Sequence, residues 1–183
     1  YPGFNIAHSP SIVTENGGLS GGVAILISCA FRLLQEVVIT PGKLLAAQVQ
    51  TRTDRFWVVS AYCHPNSARD DCEALARWLT DHQDNPDPFF IVGDFNHGNH
   101  LSLDAWQRIL NCAQGEDIVN DEPTFWGPNG SSSLDKAILP TEYMNRGLIQ
   151  HQVFYDRLFE SSGHACISIQ LRHRPPVSSS LDL

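Results

Sequence analysis

Asp94 and Asn96 close the octet Phe89-Phe90-Ile91-Val92-Gly93-Asp94-Phe95-Asn96. A carboxylate two residues from a carboxamide is a pair able to hold a water and a phosphate oxygen side by side. On an extended backbone, residues two apart project to the same side. The four apolar residues before Gly93 read as a short strand buried on both faces. Gly93 then marks where the chain turns, and the pair sits at the mouth of that strand. A strand followed by an Asp/Asn turn fits the same letters, because both side chains hydrogen-bond their own backbone. The octet alone does not separate these readings.

Other segments add reactive groups. Ser132-Ser133-Leu134-Asp135 puts a carboxylate at the start of an apolar run, and Ser162-Gly163-His164 puts an imidazole just before another. A lone Asp or His at a strand end is usually a polar terminus. Three such ends can, however, converge at one edge of a sheet sandwich, where Asp135 would orient the His164 ring as a carboxylate fixes the tautomer in a hydrolytic triad. Thr124-Phe125-Trp126 offers a hydroxyl beside two rings, suited to a sugar or base. An aromatic pair capping the core accounts for Phe125 equally well.

The elements that must position these groups can be read from hydrophobic period and turn chemistry. Strands are expected at 23–27, 31–39, 44–50, 56–62, 89–92, 134–139, 147–154 and 165–171, and helices at about 68–82, capped by Ser67, and 103–110. Pro41-Gly42 makes a hairpin of 31–39 with 44–50. Hairpins interrupted by a few helices predict an α+β or layered α/β sandwich, not a doubly wound parallel sheet.

Size and charge narrow the function. The chain has 183 residues, 42% of them apolar, enough for one domain with a sizeable core. We expect that domain over 1–173, with a Pro/Ser-rich tail or linker over 174–183. The net charge is −8, which argues against a passive nucleic-acid-binding module but is compatible with a metal-dependent phosphodiesterase. No stretch is long and apolar enough for a membrane span. Five cysteines without a Cys-x-x-Cys pair read as reduced core residues of an intracellular protein. His97 and His100 read as a loop pair and not a zinc site. Nothing points to an obligate oligomer.

With these residues in place, the chain resembles the endonuclease/exonuclease/phosphatase superfamily, the DNase I-like fold. The segments that carry the resemblance, in chain order, are Gly21-Gly22-Val23-Ala24-Ile25, Tyr62 with Pro65-Asn66, Gly93-Asp94-Phe95-Asn96, Thr124-Phe125-Trp126, Ser132 to Asp135 and Ser162-Gly163-His164. The resemblance implies a four-layer α/β sandwich of two mainly antiparallel sheets flanked by helices, with the site at one end. It also implies roles. Asp94 would activate the attacking water, Asn96 would orient Asp94 and the phosphate, and His164, held by Asp135, would stabilise charge on the phosphate. Tyr62 and Asn66 would touch phosphate, and Thr124, Phe125 and Trp126 would line the substrate. Mg²⁺, or Mn²⁺, would neutralise phosphate and leaving oxygens.

Two departures from the family pattern matter. Gly163 stands where the family carries a metal-holding Asp. The Gln-Glu pair that supplies a metal ligand is not found before Gly21, and Gln35-Glu36 lies in a strand pattern and is rejected. The expectation is therefore a domain lacking its first strand and metal-Glu segment, with no metal ligand assignable and activity impaired. The leading function is the DNA endonuclease domain of a non-LTR retrotransposon protein, in the nucleus in that case. The alternatives are a phosphatase or phospholipase of the same superfamily, or a non-catalytic remnant.

Overall fold

A computed structural model describes residues 2–14, 17–96, 103–119, 123–154 and 163–171. The chain begins with β1 (Phe4–Ser9), a small hairpin of β2 (Ile12–Val13) and β3 (Leu19–Ser20), and β4 (Val23–Ser28), which pairs back on β1. Next come β5 (Arg32–Thr40), β6 (Leu44–Gln50) and β7 (Arg55–Tyr62), a meander joined by tight turns. Helix α1 (Ala68–Asp81) then crosses over to β8 (Phe89–Asp94), which lies parallel to β7. After it follow α2 (Leu103–Ala113), β9 (Gly115–Asp117), the hairpin of β10 (Phe125–Gly127) and β11 (Gly130–Ser132), and β12 (Asp135–Pro140). A short α3 (Thr141–Asn145) precedes the antiparallel pair β13 (Ile149–Phe154) and β14 (Cys166–Leu171).

The central sheet has the order β5-β6-β7-β8-β12-β9. Only β7–β8 is parallel, as its helical crossover requires. Alternation assigns the two faces. Leu44, Ala46, Trp57, Val59, Ile91 and Ile138 pack under α1 and α2, against Leu75, Leu79 and Ile109. The other face is covered by two separate ribbons. β1–β4 lies over Leu45, Ala47 and Val49, while β13–β14 lies over Phe90, Ala137 and Leu139. The expected α/β sandwich is thus present, its second sheet formed by two ribbons among the described residues. On the outward side of the first ribbon, Phe4, Ile6 and Leu26 are exposed.

Several local expectations need correction. Gly93 does not end the strand: it lies inside β8 at φ +153°, and a Cβ there would sit 1.9 Å from the Ala61 carbonyl oxygen on β7. Its function is close backbone approach. Ser67 does not cap α1 with its side chain, since its hydroxyl donates to the Asp71 carboxylate (2.9 Å). Cys29 is exposed, and all five cysteines are free; only Cys63 and Cys72 are fully buried, their sulfurs 3.9 Å apart. The segment with His97 and His100, Ser162 and the 174–183 tail lie outside the described residues.

Candidate active site

Strand register assembles the site. Asp94, the last residue of β8, is the cross-strand partner of Tyr62 on β7 and of Asp135 on β12. All three occupy positions on the ribbon-covered face, in line with Val58, Val92 and Ala137. They form a row across three adjacent strands at one end of the sheet. From the second layer, His164 reaches this row, and its Nδ1 lies 2.9 Å from Asp135 Oδ2. Ligating atoms of Asp94, Asp135 and His164 all lie within 4.8 Å of one another. Side chains far apart in the sequence therefore meet at one rim.

Each member is held by backbone. Asn96 adopts φ +45°, a left-handed conformation that asparagine tolerates. This curls it back so that its N–H donates to Asp94 Oδ1 (2.8 Å) and its Nδ2 donates to Oδ2 (3.1 Å) and to the Cys63 carbonyl (2.8 Å). The turn reading and the site reading are thus both realised in one Asp-x-Asn segment. Cys63 extends the β7–β8 ladder by one step, donating its N–H to the Asp94 carbonyl (2.8 Å). Asn66 is exposed in the following turn, its N–H donating to His64 Nδ1 (3.2 Å).

Thr124 is fully buried, and its hydroxyl oxygen accepts the N–H groups of Leu134 (3.1 Å) and Asp135 (2.9 Å). Its carbonyl accepts the Ala165 N–H (2.7 Å), while the Trp126 N–H donates to the Gly163 carbonyl (2.9 Å). The segment is a strap between β12 and the His164 strand. Phe125 places its ring 4.9 Å from the His164 ring, and Trp126 is 43% exposed beside it. Gly163 has φ +75°, and a Cβ there would meet the Trp126 carbonyl oxygen at 2.9 Å and the Phe125 ring at 3.0 Å.

Burial pushes the Asp94 carboxyl above its ordinary value. The Asn96 N–H opposes this, the neighbouring Asp135 charge adds to it, and His164 and the Asn96 amide oppose it further. Burial here is partial, leaving Asp94 accessible at the sheet rim.

Sequence reasoning did not find the support beneath Asn96. Lys43 Nζ donates to Asp71 and Ser67, and Asp71 also accepts the His64 N–H (3.2 Å). This buried ion pair fixes the turn whose Cys63 carbonyl holds Asn96. No periodicity or motif connects Lys43 with Asp71, so nothing in the letters announces the pair.

This sheet topology, with its candidate site at the rim of β8 and β12, is a DNase I-like α/β sandwich, the fold shared by the solved structures similar to this chain. Among solved structures, the endonuclease domain of TRAS1, a telomere-specific non-LTR retrotransposon, is similar at a TM-score of 0.69 and 17% identity, over 96% of this chain and 83% of that one. A mannosyl-6-phosphatase of Bacteroides thetaiotaomicron is similar at a TM-score of 0.61 and 10% identity, over 94% and 78%. An endonuclease/exonuclease/phosphatase family protein from Leptotrichia buccalis is similar at 0.61 and 15%, over 93% and 72%. No family model and no curated protein matches the chain.

Proposed function

We propose that this chain hydrolyses phosphodiesters of DNA as the endonuclease domain of a retrotransposon-type protein, with activity reduced by Gly163. The observation that carries the reading is the meeting of Asp94, Asp135 and His164 within 4.8 Å at the end of the sheet. In this mechanism Asp94, locked in orientation by two donors from Asn96, accepts a proton from the attacking water. His164, held through its Nδ1 by Asp135, turns the rest of its ring toward the charge building on the phosphate. Tyr62, beside Asp94, and the exposed Trp126 contact the substrate backbone and sugars, and Asn66 lies at the rim of the same end. Thr124 acts on the site through Asp135.

A divalent cation fits the donor set. Asp94 and Asp135 are hard oxygen ligands of the number that Mg²⁺ uses, and Mn²⁺ accepts the same donors. Asp94 and Asp135 are the residues that would hold it, and bound there it would supply Lewis-acid neutralisation of phosphate oxygens. Among the described residues no further carboxylate joins them. Gly163 favours a second reading, a remnant without catalysis, because its backbone is shaped to exclude a side chain.

The test is nicking of supercoiled plasmid with Mg²⁺ or Mn²⁺. We expect slow, metal-dependent nicking that D94A and H164A abolish. Nicking equal in wild type and D94A would overturn the assignment of the site. Hydrolysis of sugar phosphates without nicking would favour a phosphatase, and no turnover of either substrate would favour the remnant.

A further inference from the structure

At the opposite end of the molecule is an open cavity of about 660 Å³, within the usual size range of small-molecule sites. It lies between the turn joining β4 to β5 and the turn joining β6 to β7. The candidate active site adjoins Leu44, the partner of Ala61, whereas the cavity adjoins Gln50 at the far end of β6. The length of that strand separates the two, roughly 20 Å. The cavity is therefore independent of the proposed catalytic centre.

Its lining is chemically selective. Arg32 and Arg52 both line it, together with Asn5, Gln50, Phe31 and Cys29. No carboxylate lines it. This is unusual in a chain of net charge −8. Lys43, Arg55, Arg108, Lys136 and Arg146 are each paired with a carboxylate, whereas Arg32 and Arg52, like Arg69 and Arg77 on α1, have no ion pair among the described residues; only Arg32 and Arg52 share a cavity. Register holds Arg32 directly across from Gln50, and the Thr51 N–H to Asp54 carbonyl bond (2.9 Å) fixes the turn that carries Arg52. Phe31 stays 43% exposed, a face available to a planar group.

The geometry points to a binding site for a small organic phosphate of the nucleotide class. The two guanidinium groups take the phosphates, by the bidentate hydrogen bonding that suits them. Phe31 packs on the base, and the Asn5 and Gln50 amides read its polar edge. No bond is made or broken, so the site is a binding site separate from the hydrolytic one.

Cys29 supplies the readout, being an exposed free thiol on the cavity wall. Neutral iodoacetamide is applied to the intact protein in EDTA, and alkylation of Cys29 is followed by peptide mass spectrometry with Cys112 as internal reference. ADP at ten times its dissociation constant should slow Cys29 alkylation roughly tenfold by mass action, with Cys112 unchanged. Pyrophosphate should protect more weakly, and adenosine or an equal ionic strength of KCl should not protect. The double variant R32Q/R52Q should weaken ADP binding by roughly a hundredfold, about tenfold for each guanidinium removed, and leave plasmid nicking unchanged. Absence of protection by ADP, equal protection in R32Q/R52Q, or protection by adenosine alone would overturn the proposal. None of these outcomes bears on the Asp94 site.

Discussion

Replacing Thr124 by valine isolates the strap that joins the two layers at the site. Valine keeps the shape of threonine, so no cavity opens, but the hydroxyl that accepts the Leu134 and Asp135 N–H groups at 3.1 and 2.9 Å is lost. Both donors lie beneath a residue with no solvent exposure, so water does not readily replace the oxygen. Leaving a buried donor unpaired costs about 1–3 kcal/mol, and two such donors bring the expected cost to about 2–6 kcal/mol. Against a typical domain stability of about 5–15 kcal/mol, that is a large fraction. Serine keeps the oxygen and loses one methyl, so T124S should cost about 1 kcal/mol. The exposed Thr80, whose hydroxyl donates to the Ala76 carbonyl, gives a control, T80V, expected within about 0.5 kcal/mol of wild type. Urea unfolding with unchanged m-values measures all three. The same substitution should loosen the Asp135–His164 pair, visible as altered His164 ring resonances in NMR. A T124V protein within about 1 kcal/mol of wild type, or one more stable than T124S, would refute the role of the hydroxyl.

Three further outcomes follow from the geometry. G93A places a Cβ 1.9 Å from the Ala61 carbonyl oxygen, so β7 and β8 must separate; a loss of about 3 kcal/mol or more is expected, against about 1 kcal/mol for G130A, which has open space. D94N should stabilise the fold at neutral pH, because burial raises the Asp94 carboxyl and its ionisation costs stability. A folded-state pKa raised above the unfolded one contributes stability below the unfolded pKa and loses it as pH rises through the folded one, so the advantage of D94N should vanish below about pH 4 in thermal melts. G163D should lower stability by about 1–2 kcal/mol, for its φ of +75° and the clash with the Trp126 carbonyl, and should not raise nicking; a G163D protein as stable as wild type and faster would show that the glycine alone limits the site.

Much of the sandwich was legible because its strands announce themselves by alternation. Leu44–Gln50 and Phe89–Asp94 are dense apolar runs, and the Pro41-Gly42 turn fixes their neighbour. β1 was not legible: its inward residues are Asn5, Ala7 and Ser9, while Phe4 and Ile6 face outward, so the hydrophobic pattern is inverted. The hairpin β10–β11 is too short for any period to register. At the site, the letters brought Asp94, Asn96, Asp135 and His164 together through the assumption that strand ends share an edge and through the family resemblance. They read Thr124 as a substrate-facing hydroxyl beside two rings, whereas its side chain is buried against backbone. Polar residues that brace a site and polar residues that touch a ligand carry the same letters, and only burial separates them.

Register explains why so sparse a motif is enough. Side chains alternate with period two along a strand, so a slip of one residue between β8 and β12 would turn either Asp94 or Asp135 toward the helices. The apolar residues that prevent the slip are Val92 and Ala137 on one face and Ile91 and Ile138 on the other, all paired within the same ladder. The row of Tyr62, Asp94 and Asp135 is thus specified by hydrophobic burial farther along the strands, not by its own polar contacts. His164 is different: it lies just before β14, bridged to Phe125, and among the described residues the β13–β14 ribbon shares no ladder with the central sheet. Its position depends on the Ala165–Thr124 and Trp126–Gly163 hydrogen bonds and on Phe125 packing over its ring. Damage to that strap should therefore remove His164 from the site while Asp94 and Asp135 remain aligned, separating loss of the imidazole from loss of the fold.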